Sequence, residues 1–450
     1  MTSVFHDIHQ TLRNVQPATV EGRVCGVRGL TVSVADFPAP VGGSCRIGDG
    51  IEGRVIGFAN EQTLVMALGS IAGICRGDRV RLVSRRQSIG VGAAMLGRVI
   101  DSQGKPIDGG ADIVPQAQGP LWPGPISAMR RRRIDQPLAT GVRAIDALLT
   151  IGCGQRMAII AGSGVGKSVL LGMIGRHTDA DVTVIALIGE RGREVRDFIE
   201  RDLGEEGLRN AVVVVSTSDE PPLARVQAAA TATAVAEYFR SQGSNVLLLM
   251  DSLTRLAAAQ RQIGLAAGEP PATKGYPPSV FTLLPELLER AGRTADGAIT
   301  GFYTVLVESD DLTDPIADAV RSVTDGHMCL SRDLASRGQY PAVDMLRSIS
   351  RVMTDVAEPA HQQAARQTQA LLAAYAEIEE LVRIGAYHRG ASVECDMAID
   401  LMPSVRAFLS QTVTEGCAYD ATQRQLKDLH ERIGQARSQL SRQAAMAVKA

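Results

Sequence analysis

Short apolar runs recur through the middle of the chain: Met157 to Ile160, Val182 to Ile188, Ala211 to Val215, Val246 to Met250 and Gly301 to Val307. Each is short and β-branched, most end at a small or acidic residue, and stretches of helical length separate them. That alternation predicts a parallel sheet with helices on both faces. From about residue 20 to 90 the pattern differs: β-type runs such as Gly22-Arg-Val-Cys-Gly-Val and Gly53-Arg-Val-Ile-Gly-Phe are punctuated by Gly-Gly, Gly-Asp and Asn-Glu turns. A small antiparallel barrel is the natural solution. Val4, Phe5, Ile8, Leu12 and Val15 fall at helical spacing, predicting a short amphipathic helix at the start. After about residue 356 strand signals vanish, and Ala, Gln, Leu and Arg dominate. The predicted organisation is an N-terminal helix (1–18), a β-barrel (19–92), an α/β core (93–355) that begins with a Pro/Gly-rich connector, and a helical domain (356–450).

Composition narrows the class. A 450-residue chain that is 45% hydrophobic supports about three domains with ample core. A net charge of −2 and a single Trp argue against a nucleic-acid coat protein. The seven cysteines are scattered and never in C-x-x-C spacing, which suits a reducing cytosol. No apolar stretch approaches the ~18 residues of a spanning helix, so a soluble, cytoplasmic protein is expected.

The most specific signal is Ala161-Gly-Ser-Gly-Val-Gly-Lys-Ser168, between the run ending at Ile160 and Val169-Leu-Leu171. It departs from G-x-x-x-x-G-K-[ST] by one methyl group, at Ala161. In such a strand–loop–helix unit, successive backbone N–H groups cradle phosphates and the helix N-terminus adds its positive end. Gly162, Ser163, Gly164, Val165, Gly166, Lys167, Ser168 and Val169 form the expected ATP-binding set. Lys167 is expected on the β- and γ-phosphates, and the Ser168 hydroxyl on Mg2+.

A parallel sheet binds ligands at the carboxyl ends of its strands. Asp251 stands at such an end after Val246-Leu-Leu-Leu-Met250, placed to hold a magnesium-bound water. The alternative is a helix cap made by Asp251-Ser252. Gly189-Glu-Arg-Gly-Arg-Glu194 follows another strand; Glu190 is the first candidate to orient the attacking water and Glu194 the second, against an exposed ion-paired loop. Arg351, at the end of Ser348-Ile-Ser-Arg351, lies far along the chain from the phosphate loop and is a candidate to act across a subunit boundary.

Together these residues resemble the signature set of rotary ATP synthase α/β-type subunits, and within that group the type III secretion ATPases, both flagellar and injectisome. The resemblance spans nearly the whole chain: Leu96-Gly-Arg-Val-Ile-Asp101, Thr140-Gly-Val-Arg-Ala-Ile-Asp146, Lys274-Gly-Tyr-Pro-Pro-Ser-Val-Phe281, Asp310 to Asp318, Asp325-Gly-His-Met328 and Pro341-Ala-Val-Asp344. It implies an N-terminal β-barrel, a RecA-like P-loop ATPase core and a C-terminal helical domain, assembled as a homohexamer that energises protein export. Under it Lys167 and Ser168 bind MgATP, Glu190 is the base or water orienter, Arg191 supports it, Asp251 is the Walker B carboxylate, Arg351 is the finger for the adjacent subunit, and Tyr340 flanks adenine. It also implies a stator-like regulator at the N-terminal helix, a central stalk protein, and an inner-membrane export gate, chaperones and secreted substrates as partners.

Met129-Arg-Arg-Arg-Arg133 is read as a solvated run or an intersubunit ion-pair site rather than a nucleic-acid contact. An RNA-translocating hexamer should carry aromatic stacking platforms in its barrel, yet residues 20 to 90 hold only Phe37 and Phe58. A non-catalytic nucleotide-binding subunit has no need of Glu190. A synthase catalytic subunit is a nearer rival, against which the Lys274 to Phe281 string favours an export ATPase. Asp344-Met-Leu-Arg347 and Leu381 to Tyr387 lean toward an injectisome enzyme over a flagellar one.

Overall fold

The computed structural model describes residues 19–308 and 313–447. The expected helix at residues 4 to 15 and most of Asp310 to Thr313 therefore lie outside the described residues. Six strands, Glu21–Arg28, Thr31–Ala35, Ser44–Ile47, Ile51–Ala59, Gln62–Ala67 and Arg79–Ser84, close into a barrel in which the first strand pairs with the second and the sixth. Closure removes exposed strand edges. Val24, Val32, Val34, Phe37, Val55 and Val80 fill its interior, leaving Phe58 as the exposed aromatic of the two.

The core is a nine-stranded sheet. Its parallel strands run in the order Gly326–Leu330, Arg156–Ala161, Ala298–Leu306, Asn245–Asp251, Val182–Glu190, Ala211–Thr217 and Arg98–Ile100. Two members break the all-parallel expectation: Val343–Ser350 returns antiparallel along one edge, and Gly292–Arg293 pairs antiparallel with Ala298–Leu306. Val343 follows Leu330 after only a short helix and turn, too short a connection for the crossover that a parallel neighbour requires.

Alternate residues of each central strand enter opposite layers, which is why the strands read as unbroken apolar runs. Ile160, Val184, Leu248 and Tyr303 pack with helices Pro222–Ser241 and Leu253–Ala266. On the other face Ile159, Ile185, Leu249 and Phe302 pack with helix Lys167–His177. The same cluster takes in Leu371, Met402, Phe408 and Leu429 from helices Pro359–Arg383, Val393–Leu409 and Tyr419–Ala447. The C-terminal helices therefore share a hydrophobic core with the helix that follows the phosphate loop.

Tyr303 is wholly buried in this core and its hydroxyl meets no polar partner among the described residues. Desolvation raises its pKa, so the group stays neutral. Because that hydroxyl is dehydrated without a hydrogen bond in return, Tyr303→Phe should keep stability or raise it by about 1 kcal/mol in chemical denaturation. A loss of comparable size would show that the hydroxyl is satisfied in solution.

Candidate active site

The glycine loop leaves strand Arg156–Ala161 at its carboxyl end and runs into helix Lys167–His177. Gly166 caps that helix with φ 89°, a left-handed conformation that a side chain would strain. Val165 is buried and anchors the loop, while Ser163 and Gly164 are exposed; Lys167, Ser168 and Val169 are half-buried in the first helical turn.

Lys167 reaches back across the sheet end between two carboxylates. Its ammonium bonds Asp251 Oδ1 and lies 3.7 Å from Glu190 Oε1. Asp251 is 2% exposed and Glu190 7%. They converge because strand Val182–Glu190 runs beside Asn245–Asp251, with Leu187 level with Asp251. Gly189, with φ 68°, then shifts the register and turns the chain at Glu190. Two residues that sequence reasoning missed complete the cluster. Thr304 donates its hydroxyl to Asp251 Oδ1 at 2.8 Å from the adjacent strand. Arg255 meets Glu190 Oε2 at 3.0 Å and also donates to the Gly189 carbonyl. The available signals were a threonine inside an apolar strand, and an arginine in the first turn of a helix that starts just after Asp251 with Ser252 as its cap.

Burial raises the Glu190 pKa to about 7; the neighbouring carboxyls of Glu194 and Asp251 push the same way, and Lys167 and Arg255 oppose them. A carboxylate poised near neutrality suits proton transfer from water. Glu194 is thus close enough to influence Glu190. Arg191 sits on the outside, pairing with Glu194 at 3.4 Å with most of its side chain in solvent.

Tyr340 lies against the loop: a Cβ placed on Gly166 would sit 3.4 Å from its ring. Both border a cavity of about 630 Å³ whose remaining walls include Val169 and Met173 from the loop's helix and Thr412 and Val413 from the C-terminal region. Arg351 lies elsewhere. Its backbone N–H bonds the carbonyl of Asp325, whose own N–H bonds Arg156 at the start of the loop's strand. Arg351 is thus level with the amino end of that strand, six residues and about 20 Å from the loop at ~3.3 Å per residue. Its side chain is exposed. Within the arginine run, Arg131 bonds the Ala291 carbonyl at 3.0 Å and pairs with Glu289, while Arg132 and Arg133 border a cavity with Arg293.

Without Lys167, two buried carboxylates would face each other with less compensating charge. The folded-state pKa of Glu190, already raised by burial, would rise further above its unfolded value, so the folded protein would bind extra protons and lose stability as pH increases. Lys167→Ala should therefore destabilise more at pH 8 than at pH 6, by about 1 kcal/mol or more in denaturant titrations. A pH-independent difference would contradict this charge arrangement.

Residues 141–350 match the family model described as ATP synthase alpha/beta family, nucleotide-binding domain, and residues 357–428 match the T3SS EscN ATPase C-terminal domain. The flagellum-specific ATP synthase of Bacillus subtilis (strain 168) is 50% identical over 88% of this chain and 91% of its own length. The type 3 secretion system ATPase of Xanthomonas euvesicatoria is 49% identical over 89% of this chain and 92% of its own. The assembled ATPase EscN of the enteropathogenic E. coli type III secretion system superposes with a TM-score of 0.87 at 43% identity, covering 91% of this chain and all of that one. The phosphate loop, the carboxylate pair at the strand ends and this likeness along both chains lead to one conclusion: the protein is an ATPase of the flagellar and type III secretion export family, related to the rotary ATP synthase alpha/beta subunits.

Proposed function

We propose that this ATPase powers an injectisome, working as a cytoplasmic homohexamer at the inner-membrane export apparatus to release chaperones and to unfold and export effectors. The observation that carries the catalytic part is the Lys167 ammonium held between Asp251 and Glu190. In this reading Gly162 to Val169 cradle the triphosphate and Lys167 exchanges its carboxylate partners for the β- and γ-phosphates. Ser168 and Asp251 supply hard oxygen donors of the kind Mg2+ takes, the fit being good because Lys167 and Thr304 both engage Asp251 through Oδ1. The metal would neutralise phosphate charge. Glu190 accepts the proton of the attacking water, Arg255 holds Glu190 in place, and Arg191 supports the loop through Glu194. Tyr340 borders the space for adenine.

The position of Arg351 supports the ring. With its backbone at the opposite end of the sheet from its own phosphate loop, Arg351 is placed to serve a neighbour's site. The assembled state of EscN, and its complex with the central stalk EscO, support a ring around a stalk here too. Among the described residues no helix is long and apolar enough to cross a membrane, so the link to the membrane would be through partner proteins. The domain boundaries near residues 92 and 355 belong to the same reading. The C-terminal match supports the injectisome, whereas the relative from Bacillus subtilis supports flagellar export as the second reading.

Arg351→Ala and Glu190→Gln chains should each bind ATP yet turn over about 10²-fold slower. Mixed, they form some interfaces in which an intact Glu190 site meets an intact Arg351. Activity in the mixture above the mean of the two should therefore appear in a phosphate-release assay. A fully active Arg351→Ala chain would sink the shared site.

The cellular role is read from a strain lacking this chain, scored for both swimming and effector secretion. Loss of secretion with swimming intact is expected. Loss of swimming with secretion intact would transfer the protein to the flagellum.

A further inference from the structure

The string Thr140-Gly-Val-Arg-Ala-Ile-Asp146 is remote from the phosphates, yet it is among the most heavily bonded segments of the chain. Asp146, wholly buried, accepts from the Thr140 N–H and hydroxyl at 2.9 and 2.7 Å and from the Gly141 N–H at 3.1 Å. That fixes the loop. The fixed Gly141 carbonyl then receives the Gln411 amide at 2.8 Å and the Cys417 N–H at 3.0 Å.

Arg143 completes the clasp. Its Nε donates to the Phe408 carbonyl at 2.8 Å, Nη2 to the Ser410 carbonyl at 2.7 Å, and Nη1 lies 3.3 Å from Gln425 Oε1 and 3.1 Å from Glu415 Oε1. Its backbone N–H donates to Gln411 Oε1 at 2.8 Å. One side chain therefore grips the end of helix Val393–Leu409, the following loop, and helix Tyr419–Ala447. The gripped loop, residues 410 to 415, is the wall of the cavity opposite the phosphate-loop helix. Gln411 also bonds the Tyr340 carbonyl through its N–H at 2.8 Å, tying that wall to the tyrosine. Arg143 does not border the cavity.

We propose that Arg143 is a positioning residue for the nucleotide base: it holds the C-terminal wall of the cavity against Tyr340 and the phosphate loop, and so sets affinity for the base without touching it. The inference rests on the reading of this cavity as the base site. Its chemistry separates the two halves of ATP. The triphosphate is held by Lys167 and the loop, which Arg143 does not touch, whereas the base meets a wall that loses its guanidinium contacts to Ser410 and Glu415, with the flanking helices losing those to Phe408 and Gln425, when the guanidinium is removed.

The test uses the full-length, assembled protein with ATP as substrate and inorganic tripolyphosphate as competitor. Arg143→Ala should raise KM for ATP about tenfold, the equivalent of one or two buried hydrogen bonds, with kcat changed less than about twofold. The inhibition constant of tripolyphosphate should stay the same. Arg143→Lys keeps the charge opposite Glu415 but loses the fork, and should raise KM about threefold with the same split; it serves as the decisive variant where the alanine chain fails to fold. An unchanged KM, or ATP and tripolyphosphate weakened alike, overturns the proposal. Tyr340→Ala separates the two layers of the argument: if it leaves the preference for ATP over tripolyphosphate intact, the base-site reading fails and the role of Arg143 with it. If it lowers that preference while Arg143 variants do not, only the role of Arg143 fails.

Discussion

One ammonium between two carboxylates organises the nucleotide end of this molecule. The side chains of Lys167, Asp251 and Glu190 are almost fully removed from water, and the two carboxylates persist there because the ammonium compensates both. The sheet is what brings them together. Asp251 and Glu190 come from adjacent parallel strands, and Lys167 from the helix that follows strand Arg156–Ala161, which is separated from Asp251's strand by Ala298–Leu306, the strand that contributes Thr304. An apolar sheet buried on both faces holds these ends rigid, so the cluster is preorganised before any ligand arrives.

The excess of negative charge in the cluster leaves its mark on Glu190. Two carboxylates share one lysine and one arginine while a third, Glu194, stands beside them, and with burial this holds Glu190 near neutrality. A triphosphate that draws Lys167 away would remove one of the charges opposing that shift. The proton affinity of Glu190 is thereby tied to the position of Lys167, which makes the lysine both a phosphate ligand and a control on the base in the proposed cycle.

Much of this was legible in the sequence, for identifiable reasons. The glycine loop is a local motif, and Asp251 and Glu190 announce themselves by ending apolar runs, so neither needs knowledge of strand order. Arg255, Thr304 and Arg143 were not legible. Their roles depend on which strands are neighbours and on how the C-terminal helices dock, contacts that span 53 to 282 residues of sequence. Arg191 shows the converse. Adjacent to Glu190 in sequence, it points away, because the chain turns at Gly189 and enters a helix at Gly192; Arg255 occupies the contact with Glu190 instead. The antiparallel edge Val343–Ser350 was also hidden, since its exposed outer residues break the apolar run that marks the buried strands.

The position of Arg351 gives the sheet a polarity beyond its own fold. The phosphate loop and its carboxylates occupy the carboxyl ends of the strands, while Arg351 is exposed at the amino end of the same strands. If Arg351 completes a catalytic centre, the two halves of that centre face opposite sides of one chain. They can meet only when one chain's amino end faces the next chain's carboxyl end. Such a contact is heterologous, and a heterologous contact closes into a ring only if its rotation permits. The curvature of that ring would then be set by how each chain holds its nucleotide, since the ligand lies in the joint. In the same way, the C-terminal helices share one hydrophobic layer with the phosphate-loop helix and are clasped by Arg143 to the cavity wall. Movement at the nucleotide therefore has a direct mechanical path to the C-terminal helices.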